Sequence, residues 1–322
     1  MLVACPPQLL VAMNLRDLEY LDALHRHGHF GRAAEACFIS QPTLSAQFRK
    51  LEKEIGVNIL DRTAKGVVFS EAGLAVLERA KSVLRETESI REIGRHFKDP
   101  KAGTLRVGLI PTIGPYLLPI VLSSLRESFP RLRFRFQDSK TEDTLVGLRE
   151  GDLDIAVLAL PLNEDGLEEI PIYEEPFQLG LSKHHPRSKE KFVTHWLEEE
   201  ELMLLEEGHC FGHQALSLCS RYGQVHANPF RGTSLEILRA VVAQGEGVTP
   251  VPYLAARQWS AQNDDLTYLP FPNPIPKRQI GLMCRQGNLR MELYTEIAKV
   301  IKKSIKRHLP SNRKPSDILP VY

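Results

Sequence analysis

The chain has 322 residues, 43% hydrophobic and 25% charged, the composition of a folded globular protein long enough for two or three domains. Its 41 lysines and arginines against 40 aspartates and glutamates leave a formal charge of +1, which excludes a globally polycationic nucleic-acid packer and confines any nucleic-acid binding to a local patch. No apolar run reaches the roughly 18–20 residues of a membrane helix, and no cationic stretch precedes the apolar Leu9-Leu10-Val11-Ala12, so neither a membrane span nor a secretory signal is expected.

Five cysteines (Cys5, Cys37, Cys210, Cys219 and Cys284) form neither a C-x-x-C pair nor a zinc spacing. No metal, no cofactor and no structural disulfide framework is expected, and the chain reads as cytoplasmic. Residues 1–12, with Cys5-Pro6-Pro7, read as a flexible extension ahead of Met13. Leu18, Leu21 and Leu24 share a helical face, which ends at His27-Gly28-His29. Arg32 to Cys37 is Ala-rich and helical. Ser40 caps a further helix opened by Gln41-Pro42-Thr43; Leu44, Phe48, Leu51 and Ile55 form its inner face, and Gly56 stops it. Asp61 to Phe69, with Val67 and Phe69 alternating, suits a short β-hairpin. Ser70-Glu71-Ala72-Gly73 starts a long helix to about Phe97, with Leu74, Leu77, Val83, Leu84 and Ile90 on one side. A polar linker from Lys98 to Gly103 marks a domain boundary.

Beyond Gly103 strands and helices alternate. Strands are predicted at 105–110, 132–136, 153–158, 178–181, 202–205, 248–251 and 279–284, and helices at 116–129, 142–150, 214–222, 235–244 and 291–305. Such alternation predicts an α/β domain with a largely parallel sheet, and about 205 residues of it suit two lobes rather than one. The tail from Pro310 reads as frayed.

Residues 30–52 have the layout of a helix-turn-helix, with small Ala33 and Ala34 allowing close helix approach. Gln41, Thr43, Ser45 and Gln47 stand near the start of the second helix, where short polar side chains suit base edges, and Pro42 joins the DNA-binding set by its place there. Arg49, Lys50 and Lys53 suit phosphates, with Arg62 on the hairpin wing. An ordinary amphipathic helix pair fits the same pattern. Ser40-Gln41-Pro42-Thr43-Leu44-Ser45, Leu51-Glu52, Leu60-Asp61-Arg62 and Glu71-Ala72-Gly73 resemble the N-terminal domain of LysR-type transcriptional regulators. That resemblance implies a winged helix-turn-helix over 13–72, a linker and dimerisation helix with hinge over 73–100, a two-lobed α/β effector domain like periplasmic binding proteins over 101–309, and a disordered tail over 310–322. It also implies a homodimer or homotetramer on double-stranded promoter DNA, with RNA polymerase as a partner and no membrane association.

Cys210 and Cys219 stand in the run Gly208-His209-Cys210-Phe211-Gly212-His213 to Leu218-Cys219. Two buried helical cysteines would be the ordinary account. Against it, Cys210 precedes a predicted helix, whose positive end favours thiolate, His209 and His213 flank it, and Gly208 and Gly212 leave room for a small ligand. This run, with Gly108-Leu109-Ile110-Pro111-Thr112, Gly114-Pro115-Tyr116-Leu117-Leu118-Pro119 and Thr233-Ser234-Leu235-Glu236, resembles the peroxide-sensing OxyR subgroup of the family. The resemblance implies a regulator, not an enzyme. In it hydrogen peroxide oxidises Cys210, and Cys219 resolves the product as a disulfide. Thr112, Thr141 and His209 map to its peroxide site, Gly208 and His213 join them here by their place beside Cys210, and a thiol reductant such as glutaredoxin or thioredoxin restores the dithiol. Many members carry Arg-Asp two and three residues after the first cysteine; here Gly212-His213 stands there, so the carboxylate is missing and His213 is expected instead to help hold the thiolate. A regular helix over 210–219 would separate the sulfurs by about 13.5 Å along its axis, too far for a disulfide, so oxidation requires unwinding. Cys37 and Cys284 are expected in the core. Competing readings are a LysR-type regulator answering a small organic anion, a thiol peroxidase and a solute-binding protein.

Overall fold

The computed structural model describes residues 13–61, 67–191, 197–206, 215, 218–219, 226–262, 265–310 and 318–320. The chain divides into two units between Gly94 and Arg95.

In the first unit, α1 (Leu15–His27) begins at a capping box. The Asn14 side chain accepts from the backbone of Arg16 and Asp17, and Asp17 accepts from the Asn14 N–H. Gly28 ends the helix at φ 61°, and the ring of His29 caps α2 (Phe30–Ala36), its Nδ1 accepting from the Gly31 N–H at 3.0 Å. Ser40 caps α3 (Gln41–Ile55) as the sequence predicts, with Pro42 in its first turn and Gly56 beyond its end. Leu44, Phe48 and Leu51 are buried against Leu21, Leu24, Ala33 and Leu77. The base of the expected hairpin is an antiparallel bridge between Leu60 and Phe69, with Asp61 N–H donating to the Val68 carbonyl at 2.8 Å. Glu52 anchors it, accepting from the N–H groups of Ile59 at 2.8 Å and Leu60 at 3.3 Å. The hairpin tip, with Arg62, lies outside the described residues. Ser70 Oγ accepts from Gly73 N–H at the start of α4 (Glu71–Lys98). Gly73 rests on the wing: a Cβ there would stand 2.0 Å from the Ile59 carbonyl oxygen. The apolar residues of α4 do not all face one core. Leu77 is buried, whereas Leu74, Val83 and Ile90 are exposed.

In the second unit, β1 (Gly103–Leu109), α5 (Gly114–Ser128), β2 (Leu132–Asp138), α6 (Thr141–Glu150) and β3 (Ile155–Leu160) form a parallel β2-β1-β3 sheet. The chain leaves this first lobe by β4 (Leu167–Ser182) and returns by β9 (Ile275–Arg285). The second lobe holds the far half of β4 with β7 (Thr249–Pro252) and β8 (Leu266–Pro270), and a parallel pair β5 (Glu201–Leu205) and β6 (His226–Gly232). Helices α7 (Leu235–Ala243) and α8 (Tyr253–Ser260) belong to it, and α9 (Met291–Ile305) packs on α5 in the first.

The expectation of a largely parallel sheet is corrected. Strands β4 and β9 carry the chain out and back, so they run antiparallel, and β9 is antiparallel to β3 as well. The first half of β4 was not predicted as strand because Pro171, Pro176 and four glutamates interrupt its apolar pattern; a register shift between Pro171 and Tyr173 accommodates it. The tail is corrected too: Ile318–Pro320 form β10, paired parallel with Ile275–Lys277. Residues 1–12, with Cys5, and residues 311–317 and 321–322 of the tail lie outside the described residues.

Candidate functional site

Burial of Leu44, Phe48 and Leu51 turns the opposite side of α3 outward. Gln41, Pro42, Thr43, Arg49, Lys50 and Lys53 are exposed there, and Ser45 is half-buried. The Thr43 hydroxyl is 2.8 Å from that of Ser40, and Arg49 Nε donates to the Ser45 carbonyl at 3.3 Å, which steadies both side chains along the helix. Polar groups at the N-terminal end and cations further along suit base edges and phosphates respectively.

In the second unit Leu109 of β1 lies opposite Asp138 of β2, so Thr112 and Thr141 each come three residues beyond a paired position, on the carboxyl edge of a parallel sheet. Both are buried. Thr112 accepts from Arg278 twice: Nη1 donates to its Oγ1 at 3.0 Å and Nη2 to its carbonyl at 2.8 Å. With an Arg donor on its oxygen, the Thr112 hydroxyl keeps its own hydrogen to donate. Thr141 Oγ1 is buried with no partner among the described residues.

Arg278 is only 1% exposed and faces Glu175, its register partner across β4 and β9, with Nε donating to Oε2 at 2.9 Å. Glu175 Oε1 accepts from the Leu254 N–H at the start of α8, and the Phe177 ring lies 5.8 Å from the guanidinium carbon. Beside the pair, burial foremost and Glu175 next push the Tyr173 phenol well up. A second contact joins the lobes: Trp259 Nε1 of α8 donates to Glu236 Oε1 of α7 at 2.8 Å, and the Tyr116 hydroxyl of α5 donates to the same oxygen at 3.4 Å. Sequence reasoning missed Arg278 and Glu175. Each stands beside other polar residues, Glu175 after Glu174 and Arg278 between Lys277 and Gln279, and 103 positions separate the partners, so nothing local marks the pair.

Cys219 is a free thiol with no exposure, and burial pushes its pKa well up. Cys284 is buried in β9 as expected, its thiol pushed up to about 11 by burial first and Glu168 next. Cys37 is half-buried at the end of α2, packed against the core rather than inside it. Gly208, His209, Cys210 and His213 lie outside the described residues. Among the described residues no group of three His, Cys, Asp or Glu side chains could hold a metal, and no helix is long and apolar enough to cross a membrane.

Two family models match: the bacterial regulatory helix-turn-helix protein of the lysR family over residues 15–74, and the LysR substrate binding domain over residues 98–304. The chain belongs to the LysR family. Among relatives in that family, the "Hydrogen peroxide-inducible genes activator" of Dickeya chrysanthemi is 42% identical over 298 residues, covering 92% of this chain and 97% of the relative. The "DNA-binding transcriptional dual regulator OxyR" of Escherichia coli K12 is 41% identical over 297 residues, with 92% and 97% covered. A full-length OxyR cysteine variant from Pseudomonas aeruginosa superposes with a TM-score of 0.68 at 33% identity, covering 90% of this chain and 98% of that one. LysR-family membership makes the first unit a DNA-binding helix-turn-helix domain and the chain a transcriptional regulator.

Proposed function

We propose that this LysR-family chain is a hydrogen peroxide-responsive, DNA-binding regulator of oxidative-stress genes, switched by a reversible Cys210–Cys219 disulfide. The observation that carries the reading is a fully buried free thiol, Cys219, in a chain 41–42% identical to peroxide-inducible gene activators along 92% of its length. The Cys210 thiolate attacks one peroxide oxygen. The O–O bond breaks, the other oxygen departs as hydroxide and takes up a proton as water, and Cys210 is left as a sulfenic acid. Cys219 then attacks the Cys210 sulfur; its proton leaves with the hydroxyl as a second water, and the S–S bond forms. Thr112, with a hydroxyl hydrogen to give, and Thr141, with an unpartnered oxygen, support roles in holding peroxide. Gly208, His209 and His213 complete the site. Burial that keeps Cys219 protonated supports the order: Cys210 reacts first, and Cys219 only after leaving the core.

On DNA, the exposed side of α3 enters the major groove, Pro42 opening the helix with Gln41, Thr43 and Ser45 at the bases, while Arg49, Lys50, Lys53 and Arg62 hold phosphates. Exposed Val83 and Ile90, seven residues apart on α4, support a dimer through that helix, and the effector domains complete a homotetramer. RNA polymerase is the transcriptional partner, glutaredoxin or thioredoxin restores the dithiol, and the protein works in the cytoplasm.

The test is peptide mapping of the full chain after one equivalent of peroxide. A bridge between Cys210 and Cys219 is expected. Its absence, with promoter binding intact, would reject the redox switch and favour a regulator of a small organic anion.

A further inference from the structure

The ion pair between Lys140 and Glu206 spans the two lobes at the root of the redox segment. Glu206 follows β5 directly. Its N–H donates to the Gly232 carbonyl at 3.0 Å, which fixes the backbone to the end of β6. Its side chain reaches the first lobe, where Oε1 lies 2.6 Å from Lys140 Nζ. Cys210 is four residues further along the chain from Glu206, and Lys140 immediately precedes Thr141.

The helix α6 does not explain Lys140. A cation at a helix N-terminus meets the positive end of the dipole, and Glu142 and Asp143 in the first turn already supply the favourable charge. At the N-cap position, Lys140 makes no side-chain cap; its carbonyl accepts from Thr144 N–H at 3.0 Å and from the Thr144 hydroxyl at 2.8 Å. A lysine costs α6 some stability at that place, and its ammonium lies against the Glu206 carboxylate.

Two described positions thus bracket the redox segment in sequence: Glu206, in the ion pair, and the buried Cys219, with Leu218 and Ala215 buried beside it. We propose that the Lys140–Glu206 pair is a latch for the thiol state, holding the root of the redox segment against the first lobe and setting how readily the disulfide forms. The proposal rests on the disulfide reading above.

The test equilibrates the full-length protein in glutathione buffers, where oxidised glutathione and the dithiol exchange for the disulfide and two reduced glutathiones. The disulfide fraction is read by mass after thiol alkylation for wild type, Glu206→Gln, Lys140→Met, the double variant, and the charge swap Lys140→Glu with Glu206→Lys. Partly exposed pairs of this kind are worth about a two- to fivefold change in an equilibrium constant. Each single variant is expected to shift the equilibrium toward disulfide by about that factor. The double variant should shift no further than either single one, the swap should return toward wild type, and the effect should shrink in high salt. Promoter affinity of the fully reduced protein should stay unchanged. Unchanged equilibria in the single variants, or single shifts that add in the double variant, would overturn the latch while leaving the switch intact. A wild type that forms no bridge at any glutathione ratio would remove the switch and the latch together.

Discussion

Arg278 donates to both the hydroxyl and the carbonyl of Thr112 although 166 positions separate them in the chain. The arginine comes from β9, the returning strand, and the threonine from the turn after the first strand of the unit. A single buried guanidinium thus sets the orientation of a hydroxyl at the sheet's carboxyl edge. Glu175 neutralises the same guanidinium, which weighs against a free anion-binding arginine at this place.

The pair should behave as a buried unit. Arg278→Met leaves Glu175 buried without its counter-charge and is expected to cost about 3–5 kcal/mol in urea denaturation. Replacing both, Arg278→Met with Glu175→Met, should recover much of that loss. A double variant as unstable as the single one would show that the pair is not the source of the cost.

Thr141 separates folding from function. Its hydroxyl has no partner among the described residues, so Thr141→Val should leave stability unchanged or raise it. If the hydroxyl serves peroxide, the same variant should oxidise roughly tenfold more slowly in stopped-flow measurements, the worth of about one hydrogen bond. A rate equal to wild type would release Thr141 from the site.

The two kinds of contact expected of α3 differ in their salt response. Lys50→Ala should weaken binding to all promoter sequences alike and flatten the salt slope by about one unit. Gln41→Ala should relax preference at one base pair and leave the slope alone. Fluorescence anisotropy across a salt series reads both, and a base-specific loss for Lys50→Ala would reverse its assignment.

Burial of Cys219 predicts alkaline sensitivity of the reduced protein. The ordinary thiol value is 9.0, and the folded chain holds this group well above it. Below about pH 9 both folded and unfolded chains keep the proton, and the contribution is fully present. As pH rises further the unfolded chain releases it and the folded chain does not, so stability falls. Cys284, raised to about 11, adds to the same slope. Cys219→Ala should therefore decline less steeply than wild type in denaturation series between about pH 9 and 11. Parallel decline in the two proteins would contradict the burial argument.

The helix-turn-helix was legible because its signals are local: a 3.6-residue apolar period, Ser40 before Gln41-Pro42, and glycines at both ends of the motif. In the second unit β1, β2, β3, β5 and β7 were legible for the same reason, whereas β6 and β8, His226–Gly232 and Leu266–Pro270, were not, since each is short and carries a proline. The first half of β4 was not, since its prolines and glutamates resemble a loop until β9 pairs with it. The antiparallel centre follows from where the chain turns back, which no window of neighbouring residues records. Thr112 and Thr141 emerged through family resemblance, whereas the groups around them, Arg278, Glu175 and Glu206, are joined to the site by long-range contacts alone.

Gly73 against the Ile59 carbonyl has a mechanical meaning. Where side chains separate two elements, rotamer changes can absorb a small displacement. Here a helix backbone bears directly on the wing backbone, with no room for even a methyl group between them. Glu52 then ties that wing strand back to the recognition helix through the N–H groups of Ile59 and Leu60. Torque applied along the long helix is thus delivered to the wing and the recognition helix with little slack, and the three turn as a stiff plate. A bulky residue at position 73 would act as a shim, changing the angle of the plate before any regulatory signal arrives.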